Sequence, residues 1–518
     1  MKYAKVLTCA IAVLSMSTAS CLDLSTQSTG GTSSGTGGTG GDGVGGTGGT
    51  GGAGGAGGAG GGSGGTAGGG GSVEACVGCS FGRRYGDDEE QGTAAFAVGD
   101  DGSVFISGSY NGSMFLGPNV GVVDGNGTEK QAFLAKLDRT GNPQWIVNPS
   151  ASANVGGEGS GVAVANGIVA WGGSVGNDPV LRDMFVETRN LAGDSTIVAK
   201  TKLGSQWHDD LTGIALSSDG KTVYVAGVLH GSALIYTGCP QLGGYDAGGN
   251  PNLVVFALDA MTLSCKWGKT WTGGNHNPGT IRIAVAADGH PVVTGGYSSG
   301  TLSGTGLPTP SGAFLLKLDA ANGNLLGAKG FANALPLAMT VDASTNRIVI
   351  TGGVTGALTF AGEPYPAPIA PDTTHIMVLA YDGALEEKWA QVLAGPTDQY
   401  CQGLSTDGAG RLYVGCIHTG SLTLPNGPSV DCTPNTICGL LVTLASTDGT
   451  VIGDKSGLFG AGQPIEPGCL FLTAASSKAL VLGATWTVPM TLLDGTPLNP
   501  IGGSKDYDVL VSKVEPLP

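Results

Sequence analysis

The feature that most constrains this chain is a short string that returns seven times. Its clearest copy is Phe314-Leu315-Leu316-Lys317-Leu318-Asp319, closed by Gly323-Asn324. The other copies are Phe133-Leu134-Ala135-Lys136-Leu137-Asp138, Ile197-Val198-Ala199-Lys200, Val254-Val255-Phe256-Ala257-Leu258-Asp259, Ile376-Met377-Val378-Leu379-Ala380-Tyr381-Asp382, Leu440-Leu441-Val442-Thr443-Leu444 and Val509-Leu510-Val511-Ser512-Lys513. A period of roughly sixty residues is longer than the helical repeats and nearer the blade-sized units of propellers. Apolar residues occupy both faces of the string, as a strand sandwiched between neighbouring sheets requires. In four copies a tryptophan follows the turn, at Trp145, Trp207, Trp267 and Trp389. That placement predicts an indole wedged between adjacent blades, with its N–H paired.

Each unit follows one plan. A short strand rich in small residues leads, as in Ala94-Ala95-Phe96-Ala97-Val98 and Ile283-Ala284-Val285-Ala286, and small side chains suit the crowded axis of a radial array. Tight turns follow at Asp101-Gly102, Asn166-Gly167, Asp219-Gly220 and Asp288-Gly289. A second strand then ends in a glycine, at Gly108, Gly172, Gly227, Gly296, Gly352, Gly415 and Gly483. These are expected to be turn positions with positive φ. The third strand is the repeated string, and the fourth carries the tryptophan. Four strands in each of seven units predict an all-β fold, a seven-bladed β-propeller. The last unit stops near Val514 without a fourth strand, while the segment Val77-Gly78-Cys79-Ser80-Phe81-Gly82 has no third strand before it. The N-terminal segment is therefore expected to complete the last blade.

Ahead of the repeats, residues 1–20 carry Lys2 and Lys5, an apolar run from Val6 to Leu14 and then small residues, the layout of a secretory signal too short for a stable membrane span. The junction Thr18-Ala19-Ser20-Cys21 resembles the lipobox of bacterial lipoproteins. That resemblance implies a lipid on Cys21, membrane contact through the anchor, and a place in the bacterial cell envelope, on the outer membrane or cell surface. Residues 21–72 are Gly, Thr, Ser and Ala with almost nothing to bury, so a flexible tether is expected. A Gly-rich chain of about fifty residues spans roughly 40 Å root-mean-square. Residues 73–518 then form the propeller.

The repeat pattern, φ-A-φ-D-x-x-G-x-φ-φ-x-x-G followed by F-L-x-K-L-D-x-x-G-N-x-x-W, resembles the SBBP-type β-propeller repeats of bacterial surface and secreted proteins. It is tightest between Phe96 and Trp145. Its Asp-x-x-Gly-x-x-x-Trp part also resembles the tryptophan-docking motif of pyrroloquinoline-quinone propellers and of outer-membrane assembly lipoproteins. These resemblances speak for fold, and fold does not fix function.

The formal net charge of −16 argues against nucleic acid as a partner, because phosphate binding needs clustered Lys and Arg. Gly296-Tyr297-Ser298-Ser299-Gly300 spells a hydrolase nucleophile elbow, but it falls at the repeat's own turn with no helix to follow. The six histidines show no metal-ligand spacing. Acidic runs at Asp87-Asp88-Glu89-Glu90, Asp209-Asp210 and Asp398 each precede the leading strand of a unit, and Asp124 to Glu129 is a further polar loop. Structural hydrogen bonding is their expected role, with Ca²⁺ as the alternative, although none has an EF-hand spacing. No other cofactor is expected.

Cysteine usage fits an oxidising exterior. Within single units Cys239 can pair with Cys265 and Cys401 with Cys416, Cys432 with Cys438 can staple one loop, and Cys469 can meet Cys76 or Cys79 at the ring closure. The reading that follows is a monomeric, lipid-anchored propeller that binds a protein or glycan partner without catalysis. The alternatives are a quinone-dependent, dehydrogenase-like propeller enzyme and an outer-membrane assembly scaffold. The enzyme reading is weakened by seven units rather than eight and by the absence of an adjacent Cys-Cys pair.

Overall fold

The computed structural model describes residues 80–85 and 91–514, apart from stretches within the connecting loops. The leader, the Gly-rich segment, Cys21, Cys76, Cys79, Cys469, the 87–90 acidic run and Asp398 lie outside the described residues. Seven four-stranded antiparallel sheets form the blades of a propeller. From axis to rim, blade 1 is Gln91–Val98, Val104–Tyr110, Gln131–Leu137 and Pro143–Val147. Blade 2 is Gly157–Ala165, Ile168–Val175, Asp183–Asn190 and Ile197–Leu203, and blade 3 is Asp209–Leu216, Thr222–Leu229, Asn252–Asp259 and Cys265–Trp271. Blade 4 is Gly274–Val285, Pro291–Gly300, Gly312–Leu318 and Leu325–Ala332, and blade 5 is Ala334–Asp342, Arg347–Val354, His375–Asp382 and Glu387–Leu393. Blade 6 is Gln399–Thr406, Arg411–His418, Cys438–Ala445 and Val451–Phe459.

Blade 7 is built from both ends of the chain. Phe471–Ala475, Leu480–Trp486 and Asp508–Val514 supply three strands, and the N-terminal strand Phe81–Tyr85 adds the outermost one, Phe81 opposite Lys513 and Tyr85 opposite Val509. The expected closure is present, with its strand placed slightly later than Val77. Each inner strand lies against the next, and that of blade 7 against that of blade 1.

The core is divided among the junctions. One buried apolar cluster sits between blades 7 and 1, and others between 1 and 2, 2 and 3, 3 and 4, 4 and 5, and 5 and 6. A strand covered on both sides must be apolar on both faces, which is why Leu134, Val255, Phe314, Leu315 and Leu379 are all buried. In blades 1, 2, 3, 5 and 6 the inner strand carries a one-residue bulge opposite the second strand, at Ala94, Ser160, Thr212, Leu337 and Gln402. Bulges strengthen local twist and bend the strand.

Beside the bulges, three of the second-strand glycines correct the turn expectation. Gly108, Gly227 and Gly352 lie inside their strands without positive φ. A Cβ on any of them would collide with a carbonyl of the inner strand, that of Gly92, Asp210 or Leu335. Close backbone approach, not a turn, requires glycine there.

Blade 2 also corrects the sequence reading. Its third strand is Asp183–Asn190, and Ile197–Leu203 is the outer strand, so the Ile197 string is not a copy of the repeat. The true third strand replaces the apolar string with a buried ion pair: Arg189 Nη2 donates to Glu187 Oε2 at 2.7 Å, and Trp171 Nε1 donates to the same oxygen at 3.3 Å. Trp207 is accordingly no wedge; it follows the outer strand and is 52% exposed.

Three tryptophans behave as wedges with a rule of alternation, although the indole N–H of Trp145, unlike those of Trp267 and Trp389, is buried without the expected partner. Trp145, Trp267 and Trp389 occupy one register position of the outer strand in blades 1, 3 and 5, and Phe81 occupies it in blade 7. In blades 2, 4 and 6 that position holds Ala199, Gly327 and Gly453. Trp267 and Trp389 lie over Gly323 and Gly449 in the third-to-fourth-strand turn of the next blade, and Phe81 lies over Gly141; a Cβ on any of these three would strike the ring. All three glycines have positive φ. At the intervening junctions the large residue sits in the turn instead: Leu385 against Gly327, and Leu263 in the same core as Ala199.

Polar groups stitch the same junctions. Trp267 Nε1 donates to Ala320 O at 2.9 Å and Trp389 Nε1 to Ser446 O at 3.0 Å. Lysines of the third strand do this work elsewhere: Lys136 donates to Leu191 O at 2.8 Å, Lys317 to Gly383 O, and Lys513 to Gly102 O at 3.0 Å and Arg139 O at 2.7 Å. The string's aspartates organise the turns, as Asp138 Oδ1 does by accepting the N–H groups of Thr140 and Asn142.

Three disulfides are formed, Cys239–Cys265, Cys401–Cys416 and Cys432–Cys438, in the expected pairs.

Candidate functional site

The two ends of the ring differ. At one end, inner and second strands and third and fourth strands are joined by tight turns such as 99–103, 138–142, 260–264 and 319–324. At the other, second and third strands are joined by long connections, 111–130, 230–251, 355–374, 419–437 and 487–507. Several of these carry their own small hairpins, such as Leu358–Phe360 with Glu363–Tyr365 and Ser421–Thr423 with Ser429–Asp431. Rigid blades that present long loops on one face have the construction typical of a recognition surface.

On this face the chain crosses from blade 2 to blade 3 through Gly204-Ser205-Gln206-Trp207-His208. The crossing is pinned by Asp209, the first residue of the blade 3 inner strand, which is fully buried. Its carboxylate accepts from the Ser205 backbone N–H and, at 2.9 Å, from the His230 backbone N–H. Ser205 Oγ lies 2.9 Å from Asp209 Oδ1 and 2.5 Å from His230 O, and it accepts the Trp207 N–H at 3.2 Å. A serine hydroxyl has one proton and cannot donate to two acceptors at once. Burial pushes the Asp209 pKa up to about 7, and the protonated carboxylic acid would supply the missing proton. Gly204 is needed beside it, because a Cβ there would run into the Asp183 carboxylate.

Around this loop lie charged groups drawn from four distant segments. His208 Nε2 is 2.9 Å from Asp210 Oδ1, and that carboxylate raises the imidazole's pKa. Arg182 Nη1 is 3.6 Å from Glu158 Oε2, and burial raises the Glu158 pKa despite the guanidinium. The His230 ring meets that of His208 edge-on, centroids 5.7 Å apart, and burial lowers its pKa. Lys202 Nζ and Asp183 Oδ2 are 4.0 Å apart, both reachable from solvent. Such a concentration of shifted groups is what functional sites use.

Of the residues singled out from sequence, Asp209 and Asp210 belong to this cluster, with Asp209 in the expected structural role. Glu158, Arg182, Asp183 and Lys202 were missed, since they lie in separate segments and form no motif. The Asp209-Asp210 pair was the sequence signal that pointed here; Trp207, grouped with the wedges in the sequence, is set apart from them only by the structure. Gly296 to Gly300 lies in and at the end of a strand, with no elbow geometry. Among the described residues no group of three or more His, Cys, Asp or Glu side chains is arranged to hold a metal ion.

No known protein family and no curated protein sequence matches this chain. Solved propellers do resemble it in shape. They include the quinohemoprotein alcohol dehydrogenase from Comamonas testosteroni (11% identity, 82% of this chain and 75% of that one, TM-score 0.41). The WD40 repeats of RRP9 are also similar (10% identity, 83% and 96%, TM-score 0.43), as is BamB from Moraxella catarrhalis (14% identity, 84% and 98%, TM-score 0.35).

Proposed function

We propose that this chain is a lipid-anchored propeller of the bacterial cell envelope that works by recognition, holding a protein or glycan partner on its loop-bearing face without catalysis. The observation that carries this reading is the asymmetry of the ring: tight, hydrogen-bonded turns on one face, and long connections with their own hairpins on the other. The charged cluster at the junction of blades 2 and 3 adds groups suited to polar recognition. Attachment through Cys21 leaves a Gly-rich tether of roughly 40 Å root-mean-square reach between body and membrane.

The deciding experiment is native mass spectrometry of the full-length protein extracted in mild detergent from its own membranes. A lipidated chain carrying a stoichiometric protein or glycan is expected. A chain carrying a stoichiometric organic cofactor or catalytic metal instead overturns the reading and moves attention to the propeller axis.

A further inference from the structure

We infer that Arg282, on the inner strand of blade 4, makes a carboxylate-binding site at the propeller axis, where it takes up an acidic group of the partner. The inference rests on the recognition reading and adds the chemistry of the ligand.

Arg282 breaks the pattern of the inner strands. In blades 1, 2, 3, 5 and 6 the residue that follows the bulge is small: Ala95, Gly161, Gly213, Ala338 and Gly403. The inner strand of the next blade lies against this position, since a Cβ on Gly161 would come 3.3 Å from Ile214 N and one on Gly213 3.2 Å from Ile283 N. Blade 4 places residues 278–281 where those blades have a single bulged residue, and the residue that follows is Arg282. Irregularities of this kind re-aim a side chain. A guanidinium has no room between inner strands set so closely, so it leaves the gap on the open side, toward the axis, and it is partly exposed. The irregular stretch is itself held, because Thr280 Oγ1 donates to Asn277 O at 2.8 Å and accepts the Gly296 N–H at 2.7 Å. The strand that carries the guanidinium is therefore preorganised.

What the side chain lacks there selects the ligand. Arg182, Arg189 and Arg411 each face a carboxylate. Among the described residues none faces Arg282, whose hydrogen bond runs from Nη1 to Ile281 O at 2.8 Å. Burial lowers its pKa to about 10, with no neighbouring charge to offset the effect. The group still holds its proton at neutral pH, so a five-donor cation stands desolvated and without a counter-charge in a chain of net charge −16. Its planar fork matches the two oxygens of a carboxylate. A phosphate dianion calls for a second cation, and an apolar ligand leaves the charge unmet. The inner strands of blades 2 and 6 add neutral groups at the same level of the register. Their bulge residues Ser160 and Gln402, one step before Gly161 and Gly403, hold the buried atoms Ser160 Oγ and Gln402 Oε1 without a hydrogen-bond partner. A hydroxyl and a side-chain amide can each donate a hydrogen bond to an anion.

The test titrates the full-length protein in detergent and low-chloride buffer, by calorimetry, with an acetylated tripeptide ending in glutamate, with trigalacturonate and with inorganic phosphate. At least one of the two carboxylate probes is expected to bind, the peptide assigning a protein partner and the uronate an acidic glycan. Arg282→Met, which keeps the apolar stem and removes the charge, should weaken that binding at least about tenfold. Arg282→Lys should keep part of it, because the charge stays and the fork is lost. With no internal carboxylate to lose, the Arg282→Met protein should melt at or above the temperature of the parent. A clear fall in melting temperature would mean that the guanidinium is already paired within the fold, and overturns the site. So do silence toward both carboxylates, binding that survives Arg282→Met, and tighter binding of phosphate than of either carboxylate. Native mass spectrometry of the Arg282→Met protein separates the two readings: a retained protein or glycan partner leaves recognition standing and removes the carboxylate site, whereas a cofactor in place of a partner overturns recognition itself.

Discussion

Trp389 packs over Gly449 of the next blade and gives its N–H to Ser446 O, so one side chain supplies apolar area, shape and a hydrogen bond at a junction. Trp389→Ala leaves a cavity and an unpaired carbonyl, and should cost about 3–5 kcal/mol in chemical denaturation. Trp207→Ala, by contrast, should stay within about 0.5 kcal/mol of the parent, as surface substitutions do. Asp209 makes a second prediction. Burial raises its folded pKa to about 7, above the ordinary carboxylate value, so the folded state holds a proton that the unfolded chain releases. The associated stability is present at low pH and is lost as pH rises through 7. Asp209→Asn mimics the neutral acid, so its melting temperature should rise relative to that of the parent between pH 5 and pH 8. A constant difference across that range would show that Asp209 stays ionised.

At the scale of elements, the N-terminal strand is the fastener of the ring. Phe81–Tyr85 pairs with Asp508–Val514, Phe81 packs on Gly141, and Lys513 spans to two carbonyls of blade 1. Removing the strand uncovers an edge of blade 7 and takes away the aromatic wedge at the junction of blades 7 and 1. A chain beginning at Gly92 should lose at least about 3 kcal/mol, the cost of emptying the Phe81 site alone. Unchanged thermal stability would count against this closure. The alternation of wedges belongs to this scale too. Phe81, Trp267 and Trp389 each meet a glycine of the next turn, whereas the small outer-strand residues Ala199 and Gly327 share their junctions with Leu263 and Leu385, so at these five junctions volume is kept while its owner changes.

At the scale of the whole molecule, the proposed anchoring through Cys21 makes a prediction of its own. If Cys21 carries the lipid, Cys21→Ser should move the protein from the membrane fraction to the soluble fraction, read by immunoblot after ultracentrifugation, with no change in the melting of the propeller. The propeller could be read from the sequence because a blade is a local object: in six of the seven the four strands come from one stretch of chain, and the period of Gly, Asp and aromatic positions reports it directly. The misreading in blade 2 has a physical source. Asp183–Asn190 buries Glu187 and Arg189 against each other, so its core strand looks polar, while the outer strand beginning at Ile197 looks like the missing string.

By itself the sequence determined the all-β class, the number of blades and the closure by the N-terminal segment, because each of these follows from periodicity or from what the two ends of the chain lack, and it offered as candidates the three disulfide pairs that the structure forms. Only the tertiary structure decided which glycines serve close packing rather than turns, that Trp207 is left half in solvent, and that Glu158, Arg182, Asp183, Lys202, His208 and His230 gather at one corner. Those facts depend on how neighbouring blades are set against each other, and contacts between residues far apart in the chain leave no period to read.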